Sequence, residues 1–366
     1  MSLLQTLREM LRSLKKQKPK EFSVAVMPDF FLDRLVTYDG DVKHFSEAVA
    51  EVAMRKGGGI HGVKQLELRG GNAANTASAL AALGAKVHLI INTSPFGLYL
   101  LKFYLDPLGI DLTRVKTRGK TAITTAIELS YQDEKTNVMM SDLGSLPDFG
   151  PNDLTAEDFE LLREVDYTCL FNWASTRHWG TELARGVFSC VKREGRGKTY
   201  YDTADPLPNK DHIPRLVKDV LSKDLVDVLS VNENEAFCYA SELDEEVSKL
   251  RKTLKPGELA KECARTLTKN ISARVDLHTA TMGGSFTSNS EVIVPAFKVP
   301  VFRATGAGDA WNAGNIFGDA LDLPHRSRLT LANAVAAYYI SSPIGAHSTI
   351  PKLVDFCSKK LAKTTY

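Results

Sequence analysis

Short apolar segments alternate with longer amphipathic segments along most of the chain. Apolar segments at 22–27, 86–91, 167–171, 226–230 and 273–279 predict buried strands. The segments between them carry apolar residues at helical spacing, so strands and helices alternate. This order is typical of a parallel sheet whose two faces are covered by helices. The sequence therefore predicts an α/β fold with a three-layer α/β/α core and a mostly parallel sheet.

Two other regions alternate between apolar and polar residues: 64–68, and 122–140 on either side of a predicted turn at 132–135. Such alternation is typical of strands with one face exposed to solvent. We expect these strands to form a small separate β-sheet over one end of the core, drawn from about 34–70 and 121–142.

The N-terminal residues 1–21 form a separate amphipathic segment in which Leu4, Leu7, Leu11 and Leu14 share one helical face among basic residues. A membrane-surface or organelle-targeting helix would show this pattern. An ordinary helix packed on the domain shows it too, and we favour that interpretation. The chain thus divides into a helical extension, 1–21, and one large domain, 22–366.

The composition excludes several classes of protein. Of the 366 residues, 43% are hydrophobic and 25% are charged, which is the profile of a folded globular chain. A net charge of +2 gives no strong field for nucleic acid, and no apolar run is long enough to span a membrane. The five scattered cysteines include no C-x-x-C pair, which favours free thiols in a reducing compartment, the cytoplasm.

A Gly-rich turn at 304–309 is the most informative local motif. It follows a predicted strand at 293–302 and opens a predicted helix at Asp309. A helix N-terminus presents free N–H groups and partial positive charge, which suit a phosphate. Asp309 could there accept the proton of a hydroxyl that attacks phosphorus. The alternative is an ordinary helix N-cap region, where Asp and Gly are common.

Other nucleotide-binding motifs are missing. The G-K-T triplets at 119–121 and 197–199 lack the upstream Gly of a P-loop. No G-x-G-x-x-G opens a helix after a strand, which weakens a dehydrogenase interpretation.

Several segments in the same order resemble the ribokinase-like (PfkB) carbohydrate kinase family. The resemblance covers about 22–361, and two separated signatures are far more specific than one. The matching segments are 70–75 with 83–85, 232–235, 305–309 with Trp311, Asn312 and Gly314, then 332–334 and 343–346.

The resemblance implies a ribokinase-like core with a small β lid, and a kinase that uses ATP or another nucleotide with Mg²⁺. It implies that Asp309 is the catalytic base and that the amides of Gly306, Ala307 and Gly308 form an anion hole. Asn232 and Glu235 would organise Mg²⁺, through water, since Mg²⁺ keeps several waters. The structural alternative for these two residues is an Asn-x-x-Glu capping box, and both interpretations can be true at once.

The resemblance also implies binding residues. Those for the acceptor substrate are Asp33, Gly71 and Asn75; those for the nucleotide are Asn232, Thr281, Gly283, Gly284 and Asn333. Arg177 follows the predicted strand at 167–171, where it could pair with a carboxylate or phosphate of the substrate. An exposed Arg without a role is the equal alternative.

The chain departs from the family at several positions. Arg303 and Ala304 stand where the family has an Asp and a Thr, and that Asp commonly binds an activating monovalent cation. Dependence on K⁺ is therefore in doubt, and we hypothesise that the Arg303 guanidinium supplies the missing charge.

Two further departures, Phe31 and Asn72, argue against ribose. Phe30, Phe31 and Trp173 could line an apolar pocket for a nucleoside base, or they could belong to the core.

We therefore predict a phosphotransferase that acts on a hydroxyl of a sugar or related compound. A nucleoside kinase is the alternative within the same chemistry, and a non-catalytic ligand-binding protein is the alternative outside it. We expect a homodimer formed through the small sheet, because exposed sheet edges seek partners.

Overall fold

The structure, a computed structural model, describes residues 3–16, 21–132 and 134–363. Its strands are β1 Ser23–Met27, β2 Phe31–Asp41, β3 Lys64–Gly70, β4 Lys86–Leu89, β5 Ala122–Tyr131, β6 Glu134–Asp142, β7 Tyr167–Phe171, β8 Lys198–Asp202, β9 Val228–Val231, β10 Arg274–His278, β11 Met282–Thr287 and β12 Ser290–Pro295. Its α-helices are α1 Leu3–Lys16, α2 Val42–Met54, α3 Asn72–Leu83, α4 Pro95–Leu105, α5 Ala156–Glu164, α6 Gly180–Glu194, α7 Ile213–Leu216, α8 Glu233–Leu243, α9 Glu246–Leu250, α10 Pro256–Asn270, α11 Ala307–Ala320, α12 His325–Ile340 and α13 Ile350–Lys363.

The main sheet has eight strands in the order β12-β11-β10-β9-β8-β7-β1-β4. The six strands β10, β9, β8, β7, β1 and β4 pair in parallel, and β11 and β12 continue the sheet in antiparallel pairing with β12 at the edge. The predicted mostly parallel sheet is thereby confirmed.

Strand β1 shows how the sheet is covered on both faces. Its side chains point alternately to opposite faces. Val24 and Val26 pack into a core with residues of α3, α11 and α12, whereas Ala25 and Met27 pack into a second core with residues of α6, α8 and α10. All four are fully buried. This confirms the three-layer α/β/α arrangement.

The small sheet has the order β3-β2-β5-β6 and is separate from the main sheet. Strand β2 is central: it pairs antiparallel with β3 and parallel with β5. The sequence pattern placed strands in this region but did not identify β2, which begins at Phe31, before the expected start near residue 34. Helix α2 connects β2 to β3.

Helix α1 packs on the large domain. Leu7 and Met10 are buried in the core shared with α12, and Ser13 Oγ lies 3.4 Å from Ser327 Oγ of α12. Residues 1–2 and 17–20 of the predicted extension lie outside the described residues. Among the helices that the structure describes, none combines the length and the apolar composition needed to cross a membrane.

A buried ionic cluster joins α11 and α12 to the main sheet. Arg328 is fully buried and donates hydrogen bonds of 2.7 Å to Asp276 Oδ2 and 2.8 Å to Ser285 Oγ. Asn315 Nδ2 also donates to Asp276 Oδ2, at 2.9 Å. Burial alone would raise the pKa of Asp276, but the charges of Arg274 and Arg328 hold it below its usual value. The cluster fixes α11, whose first turn carries Asp309.

Candidate active site

A cavity of about 440 Å³ lies between the carboxyl ends of the main-sheet strands and one face of the small sheet. Open α/β sheets bind ligands at this end of their strands. Main-sheet strands place five residues at its wall, at the strand ends or just after them: Asp29, Asn172, Asp202, Asn232 and His278. The small sheet adds five residues that share one face: Phe31, Asp33, Thr124, Met139 and Ser141.

The Gly-rich turn forms the floor between this cavity and α11. Gly306 has a φ of 87°, and a Cβ there would lie 2.5 Å from Tyr339 Oη, so the turn requires glycine. The amide of Ala307 donates to Ala304 O at 3.1 Å. Among the described residues, no acceptor pairs with the amides of Gly306 and Gly308. The predicted opening of a helix here is confirmed, and two of the three expected amides are free.

Asp309 is the third residue of α11 and is buried against the start of α3. Asn72 Nδ2 donates to Asp309 Oδ1 at 2.8 Å, and Asn75 Nδ2 donates to Asp309 Oδ2 at 3.0 Å. Burial raises the pKa of Asp309 to about 8, with a smaller contribution from the charges of Asp202 and Asp29, against the lowering effect of both amides. A carboxyl group that gains and loses a proton near neutral pH is suited to proton transfer.

Asp29 supports this arrangement from the end of β1. Its carboxylate accepts from the backbone amides of Asn72 and Ala73, at 2.9 and 2.8 Å, and from Asn172 Nδ2 at 2.8 Å. It thereby holds the N-terminus of α3 beside the cavity. Gly71, with a φ of 94°, passes so close that a Cβ would lie 3.0 Å from Asp29 O. Sequence reasoning included Gly71 but missed Asp29, although its position directly after a buried strand was a usable signal.

Asp33 lies on the cavity-facing side of β2. Burial raises its pKa to about 6; the nearby Arg303 charge opposes this shift and Asp29 adds to it. Arg303 is thus near enough for its charge to act on Asp33 and on Tyr339, whose hydroxyl donates to Thr305 O at 3.1 Å.

Asp202, Glu235 and His278 bring possible metal-ligand atoms within 4.8 Å of one another. Glu235 accepts from the amide and the side chain of Asn232, at 2.9 and 2.6 Å, so the predicted capping box is present. Burial, and then the charge of Asp202, raise the pKa of Glu235 above its usual value.

This cluster fits a divalent cation. No Lys or Arg among the described residues pairs with Asp202 or Glu235, so two buried carboxylates lie close together without a compensating cation. Oxygen ligands of this kind bind Mg²⁺. Sequence reasoning proposed Asn232 and Glu235 but missed Asp202 and His278, which are the last residues of β8 and β10.

A second cavity of about 350 Å³ meets the first at Asn232, His278 and Gly308. Asn333 lines it, fixed by Trp311 Nε1, which donates to Asn333 Oδ1 at 2.8 Å. Its other wall is largely apolar and includes Ala296, Phe297, Ala336, Ala337 and Ile340.

Some predicted residues lie outside both cavities. Thr281, Gly283 and Gly284 do not line the second cavity, whereas their neighbours Thr279 and Ala280 do. Gly283 lies behind Asn333, where a Cβ would approach Asn333 Oδ1 to 2.8 Å. Arg177 is exposed on a turn and lines neither cavity.

The three aromatic residues considered for a nucleoside pocket separate. Phe31 lines the larger cavity, but Phe30 and Trp173 are buried in the two cores. Trp173 Nε1 donates to Thr181 Oγ1 at 3.0 Å. These two residues therefore pack the fold instead of lining the cavity.

Solved structures share this fold at low sequence identity. An adenosine kinase from Sinorhizobium meliloti has a TM-score of 0.68 and 17% identity, covering 93% of this chain and 100% of that one. A fructokinase from Xylella fastidiosa with bound ATP has a TM-score of 0.66 and 18% identity, covering 92% and 98%. The Arabidopsis thaliana ribokinase complexed with ribose and ATP has a TM-score of 0.66 and 17% identity, covering 92% and 99%.

The sequence itself matches a family model. A comparison with curated protein sequences finds no match to the chain. The family model described as pfkB family carbohydrate kinase matches residues 38–353, most of the chain. The chain therefore belongs to the pfkB family of carbohydrate kinases.

Proposed function

We propose that this protein transfers the terminal phosphoryl group of a nucleotide, with ATP as the expected donor, to a hydroxyl of a sugar or sugar-like compound. Asp309 acts as the general base. The observation that carries the proposal is the buried Asp309 carboxyl at the start of α11, with a pKa of about 8, at the wall of a polar cavity. A base with a pKa near the working pH removes a hydroxyl proton efficiently.

The two joined cavities suit two substrates. The acceptor occupies the larger, polar cavity, and the nucleotide occupies the second, whose apolar wall suits a base. Gly308 borders both, so its free amide, together with that of Gly306, can stabilise charge on the transferred phosphoryl group. Asn333 and Asn232 are the nucleotide-side residues that this arrangement supports best.

The lining of the larger cavity favours a polyol. Asp33 and Asn75 offer acceptors and donors to hydroxyl groups, beside the close-packed backbone of Gly71. Phe31 is its one aromatic ring apart from the imidazole of His278, among the lining residues that the structure describes. A nucleoside base would gain stacking from Phe31 alone, so a nucleoside kinase is the second candidate.

Asn232, Glu235 and Asp202 are the residues that would hold Mg²⁺. The ion, when bound, neutralises charge on the nucleotide phosphates. We hypothesise that the Arg303 guanidinium supplies the positive charge that an activating monovalent cation would otherwise supply.

We also propose a cytoplasmic homodimer formed through the small sheet. The face of that sheet turned away from the cavity exposes Ile123, Val138 and Met140, which are 38%, 51% and 54% exposed. Apolar side chains grouped on one sheet face are suited to an interface.

A substrate-panel assay tests the function. Nucleotide turnover is measured with sugars, sugar phosphates and nucleosides, each with ATP, ADP or GTP. We expect one class of sugar-like alcohols to be phosphorylated. Absence of turnover with every acceptor, from a folded protein that binds nucleotide, would support the non-catalytic alternative.

A further inference from the structure

Of the three residues that bring possible metal-ligand atoms together, Asp202, Glu235 and His278, only His278 is not a carboxylate. Its Nε2 atom is buried and has no hydrogen-bond partner among the described residues. It lies 3.8 Å from Asp202 Oδ2, which is too long for a hydrogen bond. Burying a polar atom without a hydrogen-bond partner costs free energy of folding. We therefore infer that this nitrogen binds a ligand.

The imidazole ring is held in place. It packs against the indole of Trp311, with ring centroids 5.0 Å apart and planes inclined by 36°. It also lies close to the first turn of the same helix, α11, where a Cβ on Gly308 would lie 3.3 Å from His278 Cε1. A ring packed against α11 at these two residues presents Nε2 toward Asp202 with little loss of side-chain freedom.

The spacing fits one metal ion. Two ligand bonds of about 2.0 to 2.2 Å place their donor atoms roughly 3.4 Å apart at a tetrahedral angle, and at most roughly 4.4 Å apart when the angle is wider. The 3.8 Å between Asp202 Oδ2 and His278 Nε2 falls within that range. Glu235 brings a third ligand atom, so the set is one nitrogen and two carboxylates.

We propose that His278 is a ligand beside Asp202 and Glu235, and that its nitrogen lets this site bind divalent transition-metal ions of the Co²⁺ and Zn²⁺ class as well as Mg²⁺. Imidazole nitrogen suits transition metals, whereas Mg²⁺ takes oxygen ligands almost exclusively. The role of the ion in a reaction rests on the proposed function. Binding of the ion does not, because it needs no substrate.

The test uses full-length protein freed of metal and nucleotide. Co²⁺ is titrated while its visible absorption is recorded, Mg²⁺ is titrated by calorimetry, and bound Mn²⁺ is examined by pulsed EPR for nitrogen coupling. We expect His278→Ala to weaken Co²⁺ binding by about tenfold or more, to leave Mg²⁺ binding nearly unchanged and to abolish the nitrogen coupling. His178→Ala is the matched control, because His178 lines neither cavity and forms an exposed pair with Asp148 at 2.7 Å.

Three outcomes would overturn the proposal: wild-type protein that binds no Co²⁺ without nucleotide, His278→Ala that binds Co²⁺ as tightly as wild type, or Mn²⁺ without nitrogen coupling. His278→Asn, which keeps a polar side chain of similar size, replaces the Ala variant should that one not fold. The metal-binding test measures no turnover, so its failure would not refute the kinase proposal. Conversely, a variant that loses kinase activity would not refute the metal-binding proposal.

Discussion

Asn75 Nδ2 donates a 3.0 Å hydrogen bond to Asp309 Oδ2 and so joins the first turn of α3 to the first turn of α11. Asn72 makes the equivalent bond to the other carboxylate oxygen. Both amides stabilise the charged form of Asp309, while burial and two neighbouring carboxylates favour the neutral form. The proton affinity of the proposed base therefore depends on residues more than 200 positions away in the sequence.

The pH dependence of kcat/KM should report this balance. A general base works only when it has lost its proton, so activity should rise with pH and level off above about pH 8. Removing one donor with Asn75→Ala should shift the rise to higher pH. The check is a pH profile of kcat/KM for both proteins; a flat profile between about pH 6.5 and 9 would contradict the role of this pKa.

The buried cluster around Asp276 should control stability. Arg328→Met leaves Asp276 fully buried with Arg274 as its one remaining charged partner in the cluster. We expect a loss of about 3 kcal/mol in the free energy of unfolding, measured by urea denaturation. The control Arg196→Met removes an exposed arginine 4.0 Å from Asp166 and should cost less than about 0.5 kcal/mol. Equal losses in the two variants would show that the buried pair adds nothing.

Arg303 should make turnover independent of K⁺. A Cβ on Gly345 would lie 3.2 Å from Arg303 Cδ, so the arginine packs against the loop that follows α12, beside Asp33 and Tyr339. We expect equal rates in K⁺ and in Na⁺, and a lower rate for Arg303→Ala in both salts. Strong activation of the wild-type protein by K⁺ would refute the hypothesis.

The exposed face of the small sheet should determine the oligomeric state. Met140→Asp places a charge on the face opposite the cavity, so it should shift a homodimer to monomer in sedimentation experiments. Tyr99→Asp, which alters an apolar side chain that is 67% exposed on α4, should not. A wild-type protein that sediments as a monomer at all concentrations would exclude this interface.

Much of the fold follows from local patterns, because buried parallel strands read as apolar runs. Two elements could not be predicted correctly from such patterns. Strand β2 carries Asp33 and Arg34 in the middle of its apolar residues, so its pattern does not alternate cleanly. The predicted strand at 293–302 ends at Pro295, because Pro295 and Pro300 have no N–H for a sheet and the chain leaves as a loop.

The site was partly predictable. The turn around Asp309 has a local signature, whereas Asp29, Asp202 and His278 are recognisable only as residues at or just after the ends of three parallel strands, β1, β8 and β10. The carboxyl-end rule for α/β sheets could have found them. The bonds from Asn72 and Asn75 to Asp309 could not have been predicted, since they depend on how α3 and α11 pack.

The most direct test of the account is the single-turnover rate of Asp309→Asn with the best acceptor from the substrate panel. Asparagine keeps the shape but cannot take a proton, so we predict a rate lower by about two to four orders of magnitude with nucleotide binding retained. Asp148→Asn, which changes an exposed carboxylate, should keep the wild-type rate. An Asp309→Asn protein that transfers phosphoryl groups within about tenfold of the wild-type rate would contradict the assignment of Asp309 as the base.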